Sequence, residues 1–188
     1  MLFRENIGTK LTRLFLPMLF IMLLSACGSS PEENLPELES QLLPDQESWN
    51  STIIISHKGN KRAVIQAGHM RKFENEGDIH IDDGMIVDFF NSLGDHVSKM
   101  ISDSGFVNEK REHLTAVGNV ELISDSGYTA LTDWLLWRND SNLVFTDAPV
   151  ELFSAKDTLY GLGFHSDVKL ENWTIPYPSG HSYRELKK

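Results

Sequence analysis

Asp78, His80 and Asp82 stand at alternate positions in an isoleucine-containing stretch, with Asp83 next to them. Alternate residues of a strand share one face, so this spacing could present two carboxylates and an imidazole to a metal ion. The same pattern describes a solvated edge strand beside a turn, where acids and histidine discourage pairing with other chains. We assign no metal ligand on this spacing. His57, His69, His96, His113, His165 and His181 are scattered without ligand spacing. A Gly-x-Ser-x-Gly elbow, a phosphate loop and an HExxH helix are all missing from the sequence. Ser104 and Ser126 each follow an aspartate and precede a glycine, which marks turn formers rather than nucleophiles. No catalytic residue and no cofactor is therefore expected, and the chain is not expected to be an enzyme.

The remaining reactive side chain is Cys27, the single cysteine of 188 residues. A lone cysteine excludes an intrachain disulfide framework and a cysteine-rich zinc module. It closes Leu24-Ser25-Ala26-Cys27, which resembles the bacterial lipobox. Upstream lie Arg4, Lys10 and Arg13 against one acid, Glu5, and then the apolar run Leu14 to Leu24. At ~1.5 Å per helical residue that run covers about half a bilayer core, so it suits a secretory signal over residues 1–26 better than a span. The motif implies diacylglycerol on the Cys27 sulfur and cleavage just before it. At ~0.8 kcal/mol per buried CH₂, two or three acyl chains hold a protein firmly on a membrane.

Residues 27–48 form the expected tether. Between Gly28 and Glu47 lie Pro31, Pro36, Pro44 and six acids, with no basic residue. Proline and self-repulsion both oppose packing, and a flexible chain of that length spans ~25 Å. Removing the three bases and one acid of the signal takes the formal charge from −10 to −12. No face is rich enough in Lys and Arg to neutralise phosphates, so nucleic acid is not an expected partner.

From Trp49 onward, β-branched and aromatic residues alternate with short Gly, Asn and Asp breaks, and no helix is expected. The spacing predicts strands over 51–56, 62–73, 77–81, 85–91, 97–103, 105–108, 113–119, 120–124, 128–137, 142–145, 150–153, 158–162 and 164–175. Ile86, Phe89, Phe90, Leu93, Val97, Met100 and Ile101 also fit helical spacing, but Asn91-Ser92 and Gly94 favour a hairpin. Ile101-Ser102-Asp103-Ser104-Gly105-Phe106 recurs as Ile123-Ser124-Asp125-Ser126-Gly127-Tyr128, with a degenerate copy at 153–158. Val120-Glu121-Leu122, after a turn at Gly118-Asn119, recurs as Val150-Glu151-Leu152, after a turn at Ala148-Pro149. Repeated strand–turn–strand units must stack to bury their apolar faces. The expected fold is all-β: a stacked-hairpin β-jellyroll or β-taco over residues 49–176, with two facing antiparallel sheets. Residues 177–188 are expected to be a flexible tail. Trp134-Leu135-Leu136-Trp137 is apolar on both faces, which suggests a strand with one side in the core and the other covered by a partner, a lipid or the chain's own terminal segment.

Residues 50–175 resemble the LptC family, periplasmic bridge components of lipopolysaccharide export related to the OstA/LptA domains. The resemblance rests on Leu114-Thr115-Ala116-Val117-Gly118-Asn119-Val120, the Asp-Ser-Gly repeat, and Leu159-Tyr160-Gly161-Leu162-Gly163-Phe164 followed by Ser166-Asp167. The last is the most pointed to LptC, and Gly161 falls on a glycine that matters in the family. Membership implies splayed sheets with an apolar groove that shields lipid A acyl chains. It also implies sheet edges that pair with an LptA-like periplasmic protein and with inner-membrane LptF/LptG-like transporter subunits. Alternation nominates Val120, Leu122, Trp134, Leu136, Val150, Leu152 and Phe164 for the groove. Leu159, Tyr160, Gly161 and Gly163 are the candidates for the partner edge, where a strand-interior glycine permits close backbone approach. The implied location is the bacterial envelope, lipid-anchored, facing the periplasm, at the inner membrane. The best-known family members use an N-terminal membrane helix, where this chain has a motif that resembles a lipobox. Two alternatives stay open: a structural lipoprotein that assembles through its sheet edges without lipid cargo, and a metal-dependent envelope hydrolase.

Overall fold

The computed structural model describes residues 43–73 and 77–179, and the signal segment and Cys27 lie outside them. The described residues contain no helix. Ten strands follow in chain order: β1 (Gln46–His57), β2 (Asn60–Phe73), β3 (Asp78–Phe90), β4 (His96–Ser102), β5 (Ser104–Asn108), β6 (His113–Ser124), β7 (Thr129–Arg138), β8 (Leu143–Phe153), β9 (Thr158–Asp167) and β10 (Tyr177–Ser179). They form one antiparallel sheet in the order β1-β2-β3-β4-β6-β7-β8-β9-β10, with β5 also lying between β3 and β6. The stretch that also fitted helical spacing is the β3–β4 hairpin. There the Asn91 carboxamide oxygen accepts from the amides of Leu93 (2.8 Å) and Asp95 (3.0 Å), which closes the turn.

Nearly every long strand bends near its middle, and the bends lie side by side. The pairing of β2 with β3 passes from Ala67–Met85 to His69–Asp82, so Gly68 faces both Asp83 and Gly84. Between β6 and β7, Gly118 and Asn119 oppose Asp133 alone. Between β8 and β9, Asp147 and Ala148 oppose Gly163. These are bulges, two residues against one, and they bend and twist a sheet. Their backbones need the left-handed region: φ is +57° at Asp83, +91° at Gly84, +80° at Gly118, +46° at Asn119 and +79° at Gly163. Asp, Asn and Gly reach that region at least cost, which accounts for their recurrence at these places. Asp103 separates β4 from β5 on the same line, donating its amide to Gly118 O (3.0 Å) and accepting from Gly84 N (2.9 Å).

The bulges make a crease, and the sheet folds along it. Trp137 lies in the cross-strand ladder Ile79–Val107–Leu114–Trp137 on one side of the crease. Phe89 lies well beyond the crease on β3, about 30 Å from Ile79 along an extended strand. Yet the Phe89 and Trp137 rings meet at 5.2 Å. The expected two facing sheets are therefore two halves of a single folded sheet. Their inner faces form one core that includes Ile65, Val87, Met100, Leu122 and Leu152 from one half and Ile79, Leu114, Leu135 and Val144 from the other.

The crease corrects several expectations. Segments 113–119 and 120–124 are one bent strand, β6, and 142–145 and 150–153 are one bent strand, β8. Gly118-Asn119 and Ala148-Pro149 are crease positions, not terminal turns. The Asp-Ser-Gly hexapeptides also differ in role: 101–106 crosses the crease, whereas Asp125-Ser126-Gly127 turns β6 into β7. The strand expected over 164–175 ends at Asp167, and only Thr174 bridges back, to His165. Pairing of β1 with β2 begins at Gln46, inside the expected tether, and residues 177–179 of the expected tail form β10.

Candidate functional site

The crease decides which side chains point inward. Strands β3, β6 and β8 each carry the extra residue and keep their alternation across it, while β7 and β9 switch faces there. Val120, Leu122, Val150 and Leu152 consequently share the inner face, each no more than 3% exposed. They lie in two adjacent ladders, Val120–Thr132–Val150 and Leu122–Ala130–Leu152. Phe164, beyond the switch on β9, joins them and is fully buried. Trp134 and Leu136 lie on the outer face, half-buried, with Trp134 edge-on to Phe145 at 5.9 Å. Leu135 and Trp137 take the inner positions instead, and Trp137 Nε1 donates to Asn142 Oδ1 (3.1 Å). The structure thus gathers five of the seven groove candidates and sends two to the opposite surface.

The gap between the two halves differs at its two ends. At the β1 end, half-buried Ile53 and Ile55 face Ile79 and Val107 across a cavity of about 230 Å³, rimmed by Glu109 and Glu112. Near β9, residues 168–175 cross the gap. Val168 and Leu170 are buried in the core, and Trp173 and Ile175 pack on it. The hydroxyls of Ser124 and Ser126 both donate to the Lys169 carbonyl, the second at 3.0 Å, and pin this strap to the far tip. A larger hollow of about 400 Å³ lies over the crease, between Thr52, Gln66, Gly68, Gly84, Ile86 and Ile101.

The chain belongs to the LptC-related lipopolysaccharide-assembly family. The family's model matches residues 18–175, most of the chain. Members of this family are transport-bridge components, not enzymes. The fold is similar to that of LptH, described as the LptA-homologous periplasmic component of the lipopolysaccharide transport device of Pseudomonas aeruginosa. That match has a TM-score of 0.50 and 12% identity, and covers 66% of this chain and 89% of LptH. No curated protein matches the sequence.

The edge candidates of this LptC-related chain fall on β9. Leu159 is half-buried and Tyr160 exposed, while Gly161 and Gly163 are buried. Tyr160 stands opposite Glu151 of β8, and its hydroxyl is held above the ordinary tyrosine pKa by a hydrogen bond to that carboxylate and then by its charge. The outer side of β9 is taken by residues 174–179 of the same chain. At the other edge, β1 pairs only with β2 among the described residues. Sequence alternation gives no warning of the strap, because its buried residues are irregular backbone rather than strand.

Asp78, His80 and Asp82 do share the outer face of β3, but β3 is an interior strand, not an edge. Asp82 accepts from Arg71 Nη2 at 2.6 Å, and Asp78 accepts from Asn108 Nδ2 at 2.6 Å. His80 lies between the rings of Phe73 (5.2 Å) and Phe106 (5.8 Å). Asp83 lies at the crease with its positive φ and is exposed. Each side chain has a separate structural neighbour, and no cluster of three or more metal-binding groups occurs among the described residues.

Proposed function

We propose that this protein is a membrane-held bridge component of lipopolysaccharide export in the bacterial envelope. Cys27 carries the lipid that holds it, at the inner membrane, and residues 27–48 lift the folded body towards the periplasm. The interior between the two half-sheets accepts lipid A acyl chains while the sugar head stays in water. Cargo arrives from LptF/LptG-like subunits and leaves to an LptA-like protein through pairing of sheet edges. The observation that carries this reading is the folded sheet of a family member whose inner face is predominantly apolar, including Ile55, Ile65, Val87, Leu122 and Leu152, with only small hydroxyl side chains such as Ser98, Thr146 and Ser166 buried among them.

The packing sets a condition. Pockets for drug-sized ligands occupy roughly 300–1,000 Å³, more than the ≈ 230 Å³ at the β1 end. The inner side chains are closed on one another, so acyl chains enter only if the half-sheets part. That same closure favours a second reading, in which the chain assembles through its edges and carries no lipid. Photocrosslinking separates the two. A photoreactive residue at Leu122 or Leu152 in cells forms lipopolysaccharide adducts if the interior carries cargo, and one at Leu136 does not. A folded, family-partnered chain without adducts at either inner position establishes the edge-only reading. Mass spectrometry of the N-terminal peptide tests the anchor: a diacylglycerol adduct on Cys27 is expected, and an unmodified cysteine in the mature chain removes it.

A further inference from the structure

The outer side of β9 is occupied by the chain itself. Thr174 and His165 exchange both backbone hydrogen bonds, at 2.8 and 3.1 Å. Tyr177, Pro178 and Ser179 then pair with Leu162, Gly161 and Tyr160. Gly161 is the seat of this contact. A Cβ there would collide with Ile175 Cγ2 and come within 2.7 Å of the Tyr177 carbonyl oxygen. The notch left by the missing side chain is therefore filled by a branched apolar methyl from the same chain.

This cover is slight. The three residues of β10 are exposed, and Pro178 has no N–H to donate to the ladder. At the other edge, β1 offers twelve residues with no partner on their outer side among those described, including Ile53-Ile54-Ile55. An open edge on one copy and an uncovered β9 on the next would join head to tail without closing, which builds filaments.

We propose that residues 174–179 are a displaceable edge guard. They stand in for the extended strand of another β-domain, which binds β9 by removing them and placing a branched apolar side chain over Gly161. Until then, the guard blocks head-to-tail growth. The inference rests on the edge-pairing part of the proposed function and not on lipid cargo.

Leu162 and Tyr177 are directly opposed and both exposed, so a Leu162→Cys/Tyr177→Cys pair locks the guard when oxidised and frees it when reduced. The test uses the mature chain with Cys27→Ser and a labelled peptide copying residues 46–57 as the strand probe. The reduced form is expected to bind the peptide and the oxidised form not. Adding Ile175→Asp, which empties the notch, is expected to tighten peptide binding about tenfold by raising the fraction of uncovered edge. In sedimentation velocity, Ile175→Asp is expected to give concentration-dependent oligomers beyond the dimer, abolished by the oxidised lock. Equal peptide binding by the oxidised and reduced forms, or none by either, overturns the proposal. If Ile175→Asp does not fold, the cysteine pair alone decides. No step uses lipid, so failure of the guard and failure of the cargo reading are seen separately.

Discussion

Leu135 and Leu136 are chemically identical neighbours on β7, and the crease gives them opposite surroundings. Carried from Thr132 without interruption, alternation would place Leu136 inside and Leu135 outside. The structure reverses them: Leu135 is 1% exposed in the core, and Leu136 is half-buried on the outer face. Leu135→Ala removes fully buried methyl groups and leaves a void between half-sheets, a change that costs roughly 2–5 kcal/mol. Leu136→Ala surrenders only part of a leucine's burial, about 1 kcal/mol when full burial contributes 1.5–3. Urea unfolding of the two variants, followed by tryptophan fluorescence, reads the difference. With a slope of ~1–3 kcal/mol/M, Leu135→Ala is expected to lower the midpoint by about 1–2 M and Leu136→Ala by about 0.5 M, with slopes unchanged. A larger loss at Leu136 than at Leu135 would mean that β7 does not switch faces, and the folded sheet would be wrong.

The crease itself is tested at its glycines. Gly118→Ala puts a Cβ within 2.7 Å of Asp103 Oδ2 at φ +80°, whereas Gly127→Ala at φ +90° meets nothing within 4 Å. Both carry the backbone cost of roughly 1 kcal/mol, so thermal melting should show a further loss only for Gly118→Ala, and equal losses would remove the crowding argument. Asp82→Asn breaks the partly exposed pair with Arg71 and is expected to cost at most ~1 kcal/mol; a much larger loss, or zinc-dependent stabilisation of the wild type alone, would restore a metal role to the Asp78–His80–Asp82 face. For Tyr160, whose pKa is raised by Glu151, Glu151→Gln should bring one phenolate titration down toward 10.0. Because the folded pKa lies above the unfolded one, this bond supports the fold below about pH 10 and loses its effect as pH rises through the folded value. An unchanged phenolate absorbance titration in the variant would show that the contact is absent in solution.

Much of this molecule was legible before folding. Short-period alternation, Gly/Asn/Asp breaks and the Val-Glu-Leu repeat gave an all-β body of antiparallel hairpins, and the motif around Leu159–Phe164 pointed to the family that the match over residues 18–175 shows. Inner residues on β6 and β8 were correctly grouped because the extra residue at each bend preserves their alternation. Misplacement fell on Trp134 and Leu136, which were grouped with the inner set although β7 switches faces between Thr132 and Leu135.

What the sequence determined by itself is the β character of the body, the apolar alternation within each segment and the residues able to adopt left-handed backbone. These depend on each residue and its immediate neighbours. The line of the crease, the meeting of Phe89 with Trp137 and the closure of β9 by Ile175 were decided only by tertiary structure. A bulge exists only relative to the strand opposite, where two residues meet one, so its effect on side-chain direction is a property of the pairing and not of either segment alone.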